Sequence, residues 1–122
     1  MKVSIIVQAR VGSVRLPNKI LKKIGNLTIL EIINKRLSKS KESDDVIFAV
    51  PDNKQNLYLR NFIKLKMKSK MFKGSEANVL NRYFLAATKN KSDIIVRISA
   101  DCPFVDHRII DKYIKIFKKN KL

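Results

Sequence analysis

Four short apolar segments alternate along this chain with four stretches of helical periodicity, and that alternation restricts the fold more than any other feature. The first strand reads Lys2–Gln8, with Val3, Ile5 and Val7 interleaved by Ser4 and Ile6. A helix is predicted from about Leu30 to Leu37, opened by Thr28 and Glu31 at capping-box spacing. Val46–Val50 is a second strand, stopped by Pro51-Asp52-Asn53. Leu57, Leu59, Phe62, Ile63 and Leu65 then recur on a helical face, and Met71-Phe72 form a brief third strand before Gly74. Ser75 can cap the next helix, whose apolar stripe is Val79, Leu80, Tyr83, Phe84 and Ala87; Tyr83 and Phe84 read as core rather than base-stacking residues. Asp93–Ser99 is the fourth strand, and Asp106 can cap a last helix carrying Ile109, Ile110, Tyr113, Ile114 and Phe117. Alternation of this kind implies right-handed crossovers and a parallel sheet, hence an α/β, Rossmann-like fold. With the strands in the order 3-2-1-4, the first and fourth flank the point where the winding reverses. A ligand then sits beyond their carboxyl ends.

With 122 residues and a hydrophobic fraction of 45%, the chain has the material for one folded domain, residues 1–122. No apolar run reaches the length of a membrane span, and MKVSII leads into a strand rather than a signal peptide. Cys102 is the single cysteine, so no intrachain disulfide forms and a reducing cytoplasm is the expected compartment. The net charge of +17 favours anionic partners. Most of it is lysine dispersed over helix faces, however, and the sparse aromatics sit at core-like positions. That pattern argues for compositional bias and against a nucleic-acid platform, and no membrane partner is expected.

The loop after the first strand concentrates the chemistry. Within eleven residues of Gln8 come Arg10, Gly12, Ser13, Arg15, Pro17 and Lys19. Loop amides and fixed cations together neutralise phosphate. The facing segment, Ala100-Asp101-Cys102-Pro103, offers a carboxylate suited to Mg²⁺, which binds through one or two carboxylates plus substrate phosphates. Neither the GxxxxGK[ST] phosphate loop nor GxGxxG is present. Arg10, Arg15 and Lys19 would neutralise a phosphate chain during nucleotidyl transfer, Gly12 would admit close backbone approach, and Ser13 would add a donor.

These segments resemble a known family. QARVGSVRLPNK at Gln8–Lys19 is similar to the QARxGSxRLPxK signature of the cytidylyltransferases that activate sugars, the spore-coat-polysaccharide type and the acylneuraminate and 3-deoxy-manno-octulosonate enzymes among them. FKGSEANVLNRY at Phe72–Tyr83 and VRISADCPFVD at Val96–Asp106 resemble FRGSExxVLDRY and VRITADCPLID in the same order. The resemblance implies a three-layer nucleotidyltransferase fold of the GT-A type with a mainly parallel sheet. It implies the reaction CTP + sugar → CMP-sugar + pyrophosphate, serving polysaccharide biosynthesis. It puts Arg10, Ser13, Arg15 and Lys19 on the triphosphate, Gln8 and Ala9 near the base, Gly74, Ser75 and Arg82 at the nucleotide's border, and Mg²⁺ on Asp101. CTP and a sugar acceptor are the implied partners.

Three departures accompany the match: Asn18 replaces a glycine, Asn81 replaces an aspartate, and the chain ends at Leu122 although family members are longer. The expectation is a truncated unit, the nucleotide-binding half, without the second metal aspartate, most of the sugar pocket and the dimerisation arm. A homodimer stays open. So do two alternatives to the enzyme, a non-catalytic nucleotide-binding fragment and a basic nucleic-acid-binding domain. Among plainer readings, Asp101 would stabilise a turn, Arg97 would pair with a carboxylate, and Lys118-Lys119-Asn120-Lys121 would be a solvated helix end. A Cys102–His107 nucleophile lacks an orienting third group.

Overall fold

A computed structural model describes residues 1–11, 19–75, 77–100 and 104–120. Its main sheet has four strands, β1 (Val3–Gln8), β4 (Asp45–Pro51), β5 (Lys70–Gly74) and β6 (Ile94–Ser99). They lie in the order β5-β4-β1-β6, which is the 3-2-1-4 order expected for the four predicted strands. Every pairing in this sheet is parallel. Two-residue strands β2 (Lys23–Ile24) and β3 (Leu27–Thr28) form a small hairpin that periodicity did not predict, because a two-residue strand has no period. Gly25 turns it at φ +67°, a conformation glycine adopts without steric cost.

Helices cover both faces. On one, α1 (Ile29–Leu37), α2 (Leu57–Asn61) and α4 (His107–Asn120) pack on the sheet through Leu30, Ile33, Leu37, Leu59, Ile110 and Ile114, against Val3, Ile5, Val7, Phe48 and Val50. On the other, α3 (Val79–Lys89) sets Tyr83, Ala86 and Ala87 on Ile6 and Ala49. Consecutive residues of β1 thus bury in opposite faces, the signature of a central parallel strand. Each fully buried aliphatic side chain here stabilises the fold by about 1.5–3 kcal/mol.

Helix α1 begins as predicted. The Thr28 hydroxyl accepts from the Glu31 amide at 3.1 Å, and Glu31 accepts from the Thr28 amide at 3.0 Å. Four expectations need correction. The second helical face splits: α2 gives way at Phe62–Lys66 to a π-turn, so Leu59 and Ile63 are buried while Leu57 and Leu65 are exposed. Ser75 does not cap α3; Asn78 does, accepting from the Asn81 amide at 2.9 Å. Val79, Leu80 and Phe84 lie exposed, although they share the helical period of Tyr83. On α4, Ile109, Tyr113 and Phe117 are likewise exposed. Asp106 does accept from the Arg108 amide at 2.9 Å at the head of α4.

The amino ends of the strands are locked by a polar network. Asp45 Oδ2 accepts from Lys70 Nζ and Asn90 Nδ2, both at 2.9 Å, and Asn90 also donates to Ser4 Oγ at 3.0 Å. Burial would raise the Asp45 carboxyl, but hydrogen bonds from Lys70, Ser4 and Asn90 and the charge of Lys70 outweigh it and hold the group down to about 2. A group depressed on folding adds stability above its unfolded value and loses it as pH falls through its folded value. A shift of this size corresponds to about 2 kcal/mol, which screening at the exposed Lys70 reduces to about 1 kcal/mol. Acid titration of urea unfolding is expected to lose about this much between pH 5 and pH 2 through Asp45. Asp45→Asn should flatten that segment of the curve; an unchanged slope in the variant refutes the assignment.

Candidate functional site

The carboxyl ends of β1 and β6 lie side by side. Ala100 N donates to Gln8 O at 3.0 Å, while on the other side Ala9 N donates to Ala49 O at 3.1 Å. The cation-bearing loop therefore leaves the sheet from its centre, at the point where the winding reverses. Ala100, the last described residue of this segment, lies directly beside it.

Arg82 organises the rim. It projects from α3 and is fully buried, with Nε donating to Gln8 Oε1 at 3.2 Å and Nη1 donating to Ser75 O at 2.5 Å. One guanidinium thus joins the end of β1 to the segment after β5. Gly74 makes the approach possible: a Cβ there would lie 2.8 Å from Arg82 Cγ and 3.1 Å from Phe72 Cε1. Tyr83 extends the rim toward β6, its hydroxyl donating to Ile98 O at 3.3 Å and its ring lying 4.6 Å from the Arg97 guanidinium. Burial raises the Tyr83 phenol above its ordinary range, so it stays a neutral donor. Arg97 therefore stacks on an aromatic face where the sequence suggested a carboxylate.

The start of the loop is held by a residue that the sequence reading missed. Buried Asn56 accepts from Val11 N through Oδ1 at 2.8 Å and donates to Asn53 Oδ1 at 2.7 Å. Asn53 in turn caps the 3-10 turn Lys54–Asn56. The Asn53-x-x-Asn56 spacing was a legible local signal, but its bond to a loop 45 residues earlier was not.

Of the predicted site residues, Gln8, Gly74, Ser75 and Arg82 come together in one hydrogen-bonded group. Ala9 is buried beside them, and exposed Arg10 follows at the loop's start. Lys19 opens the 3-10 turn Lys19–Leu21 at the loop's other end. Gly12, Ser13, Arg15 and Asp101 lie outside the described residues, as does Cys102 of the Cys–His pair. Among the described residues, no group of three His, Cys, Asp or Glu side chains could hold a metal ion, and no helix is long and apolar enough to cross a membrane.

Comparison with known proteins agrees with this geometry. The sequence profile of the cytidylyltransferase family matches residues 4–122. An uncharacterized protein of Methanocaldococcus jannaschii is 41% identical over 98% of this chain and 49% of its own length. The spore coat polysaccharide biosynthesis protein SpsF of Bacillus subtilis is 34% identical over 90% of this chain and 47% of its own. Among solved structures, a cytidylyltransferase from Leptospira borgpetersenii superposes with a TM-score of 0.91 at 38% identity, covering 98% of this chain and 50% of that one. A CMP:2-keto-3-deoxy-manno-octonic acid synthetase complexed with CTP shares the fold, with a TM-score of 0.83 at 20% identity, over 99% of this chain and 49% of its own. The chain belongs to the cytidylyltransferase family. It spans about half the length of the curated relatives it matches.

Asn56→Ala would leave the buried Val11 amide without its acceptor, at a cost of about 1–3 kcal/mol. Gly74→Ala would press on the stem of Arg82 in a packed rim, costing about 1–3 kcal/mol. Both losses should appear as lower urea midpoints with unchanged slope; a midpoint like that of the wild type in either variant refutes the corresponding role.

Proposed function

We propose that this chain carries the CTP-binding half of a CMP-sugar synthetase. In that reaction a hydroxyl of a sugar or sugar acid attacks the α-phosphate of CTP, a new phosphate ester forms, and pyrophosphate leaves, supplying an activated sugar for polysaccharide synthesis. The observation that carries the reading is the convergence of Gln8, Ser75 and Arg82. Gln8 comes from one motif segment and Ser75 and Arg82 from another, yet the Arg82 guanidinium bonds to both of the others at the sheet's switch point.

Arg82, buried beneath the rim, acts as a positioning residue rather than a phosphate ligand. With Oε1 of Gln8 held as an acceptor for Arg82, the capacity Gln8 has to offer a ligand is its Nε2 donor pair. A donor there matches the O2 and N3 acceptors of cytosine, whereas uracil carries a hydrogen at N3. Arg10, Arg15 and Lys19 would spread over the triphosphate, and charge built up in transfer is stabilised by fixed cations and amides rather than by a protein nucleophile. Asp101 would hold Mg²⁺ through its carboxylate, and the ion when bound would neutralise charge on the phosphate oxygens. The donor chemistry fits: one carboxylate at a strand end, with the triphosphate completing the ligand set. A reducing cytoplasm suits the single Cys102.

The half-length match to the relatives also favours a second reading, a module that binds nucleotide without turnover. Pyrophosphate release from CTP, Mg²⁺ and a panel of sugars separates the two.

A thermal-shift series is expected to give a rise in melting temperature with CTP, enhanced by Mg²⁺ and smaller with UTP, ATP or GTP. Gln8→Glu keeps a partner for Arg82 but cannot donate. It should weaken CTP at least tenfold, about 1.4 kcal/mol, while the protein still unfolds cooperatively. A wild-type melt indifferent to all four nucleotides overturns the reading. In an enzyme completed by its second half, Arg15→Ala and Asp101→Ala should each abolish CMP-sugar formation; wild-type rates in either would remove that residue from the mechanism.

A further inference from the structure

Lysine is dispersed over this chain, but acid is not. Between Asp52 and Asp93 the sequence holds a single acidic residue, Glu76, and that stretch builds α2, the π-turn, β5 and α3. The sheet edge formed by β5 is therefore framed by cations. Lys64, Lys73 and Lys89 are all exposed, and among the described residues none of the three is paired with a carboxylate. The edge itself is open, because β5 lies last in the sheet and among the described residues no strand pairs with its outer side. Gly74 O accepts from Asp52 N at 2.9 Å, so the polar groups of Gly74 face β4. By alternation those of Phe72 and Lys70 do the same, and the N–H and C=O of Met71 and Lys73 face outward.

Side chains alternate likewise and give this edge two unlike faces. Met71 packs against the core that α2 covers, whereas Phe72 packs on the α3 side. Lys73 shares the face of Met71. On that face a cleft of about 580 Å³ is lined by Arg60, Lys64 and Lys73. Arg60 is held in place there, its Nη1 donating to Pro51 O and Asn53 O, both at 2.7 Å. A guanidinium already oriented loses little freedom on meeting a carboxylate. On the α3 face a smaller cleft of about 290 Å³ runs over the apolar side chains of Ile47, Phe72 and Ala86. Lys89 borders both clefts, and neither is lined by Gln8, Gly74, Ser75 or Arg82 of the rim.

We propose that the β5 edge binds an extended segment of another protein in which acidic and apolar residues alternate. The segment adds a strand beside β5, its backbone bonding to Met71 and Lys73. Its carboxylates then fall on the side of Arg60, Lys64 and Lys73, and its apolar residues on the side of Ile47, Phe72 and Ala86. Lysine on an edge strand keeps like edges apart, because cations directly opposite one another repel. The same lysines thus exclude a second copy of this chain and admit an acidic strand. A nucleic acid fits less well. Among the described residues Phe72, half-buried, is the one aromatic side chain lining either cleft, so successive bases find nothing to stack on. The inference goes beyond the nucleotide reading and does not rest on it.

The test is fluorescence anisotropy of a short dye-labelled peptide alternating glutamate and valine, titrated with the full chain in the absence of nucleotide. Binding should weaken with added salt, and amide exchange at Met71 and Lys73 should slow about tenfold or more in the complex. Glutamine in place of glutamate, or methylation of the peptide's backbone nitrogens, should each weaken binding about tenfold or more. Lys64→Glu and Lys73→Glu, at exposed positions, should do the same. Lys112→Glu makes the same charge change on α4, the helix that follows the opposite edge strand, and should leave affinity within about twofold. The proposal is overturned if the glutamate peptide does not bind, if the glutamine or N-methylated peptide binds as tightly, or if Lys112→Glu acts like Lys64→Glu. It is equally overturned if the complex leaves the Met71 and Lys73 amides unprotected, or if an oligouridylate of equal charge binds more tightly and displaces the peptide. None of these readouts depends on CTP, so a failed nucleotide shift with intact peptide binding would refute the proposed function and leave this edge site standing.

Discussion

Because β1 runs parallel to both neighbours, β4 and β6, the carboxyl ends of all three strands point the same way and every connection must cross back over a face. That geometry needs a strand buried on both sides. Val3, Ile5, Ile6 and Val7 meet the need with alternate side chains in two separate cores. It also gathers the loops after β1, β5 and β6 at one end, so motif segments far apart in sequence share one rim. Arg82 can reach both Gln8 and Ser75 only because α3 returns over β1 after β5 has delivered Gly74 to the same level.

The two ends of the sheet divide stability from chemistry. At the amino end, Ser4, Asp45, Asn90 and Ser92 are joined in one hydrogen-bonded network, with Lys70 and Lys2 closing it from solvent around Asp45 Oδ2. A buried polar group costs free energy unless it is paired, so such a network fixes strand register as much as it adds energy. At the carboxyl end the polar groups face outward or hold a rim. Asn56 secures the first turn of the cationic loop, and Arg82 secures the end of β1.

The strand order and the family were legible because period-2 apolar runs, turn residues and three motifs all pointed the same way. The capping box at Thr28 and Glu31 was legible for the same local reason. The failures share a different cause. Leu80, Phe84, Tyr113 and Phe117 have the periodicity of core residues, and the period records which side chains share a helix face, not whether that face is covered. The π-turn after Asn61 escapes any 3.6-residue pattern, and the link from Asn56 to Val11 is a tertiary contact that leaves only an N-cap spacing in the local sequence. Of the rim itself, sequence named Gln8, Gly74, Ser75 and Arg82 but not Arg82 as the clamp that joins the end of β1 to the segment after β5.

The charge of +17 restricts what this molecule attracts. Dispersed lysine gives a positive field over the whole surface, which raises the local concentration of a polyphosphate and weakens with salt. The same field opposes self-association of the chain. It acts equally over the loop that begins at exposed Arg10 and ends at Lys19, so the attraction of an anion and the repulsion between copies of the chain weaken together as salt screens the charges.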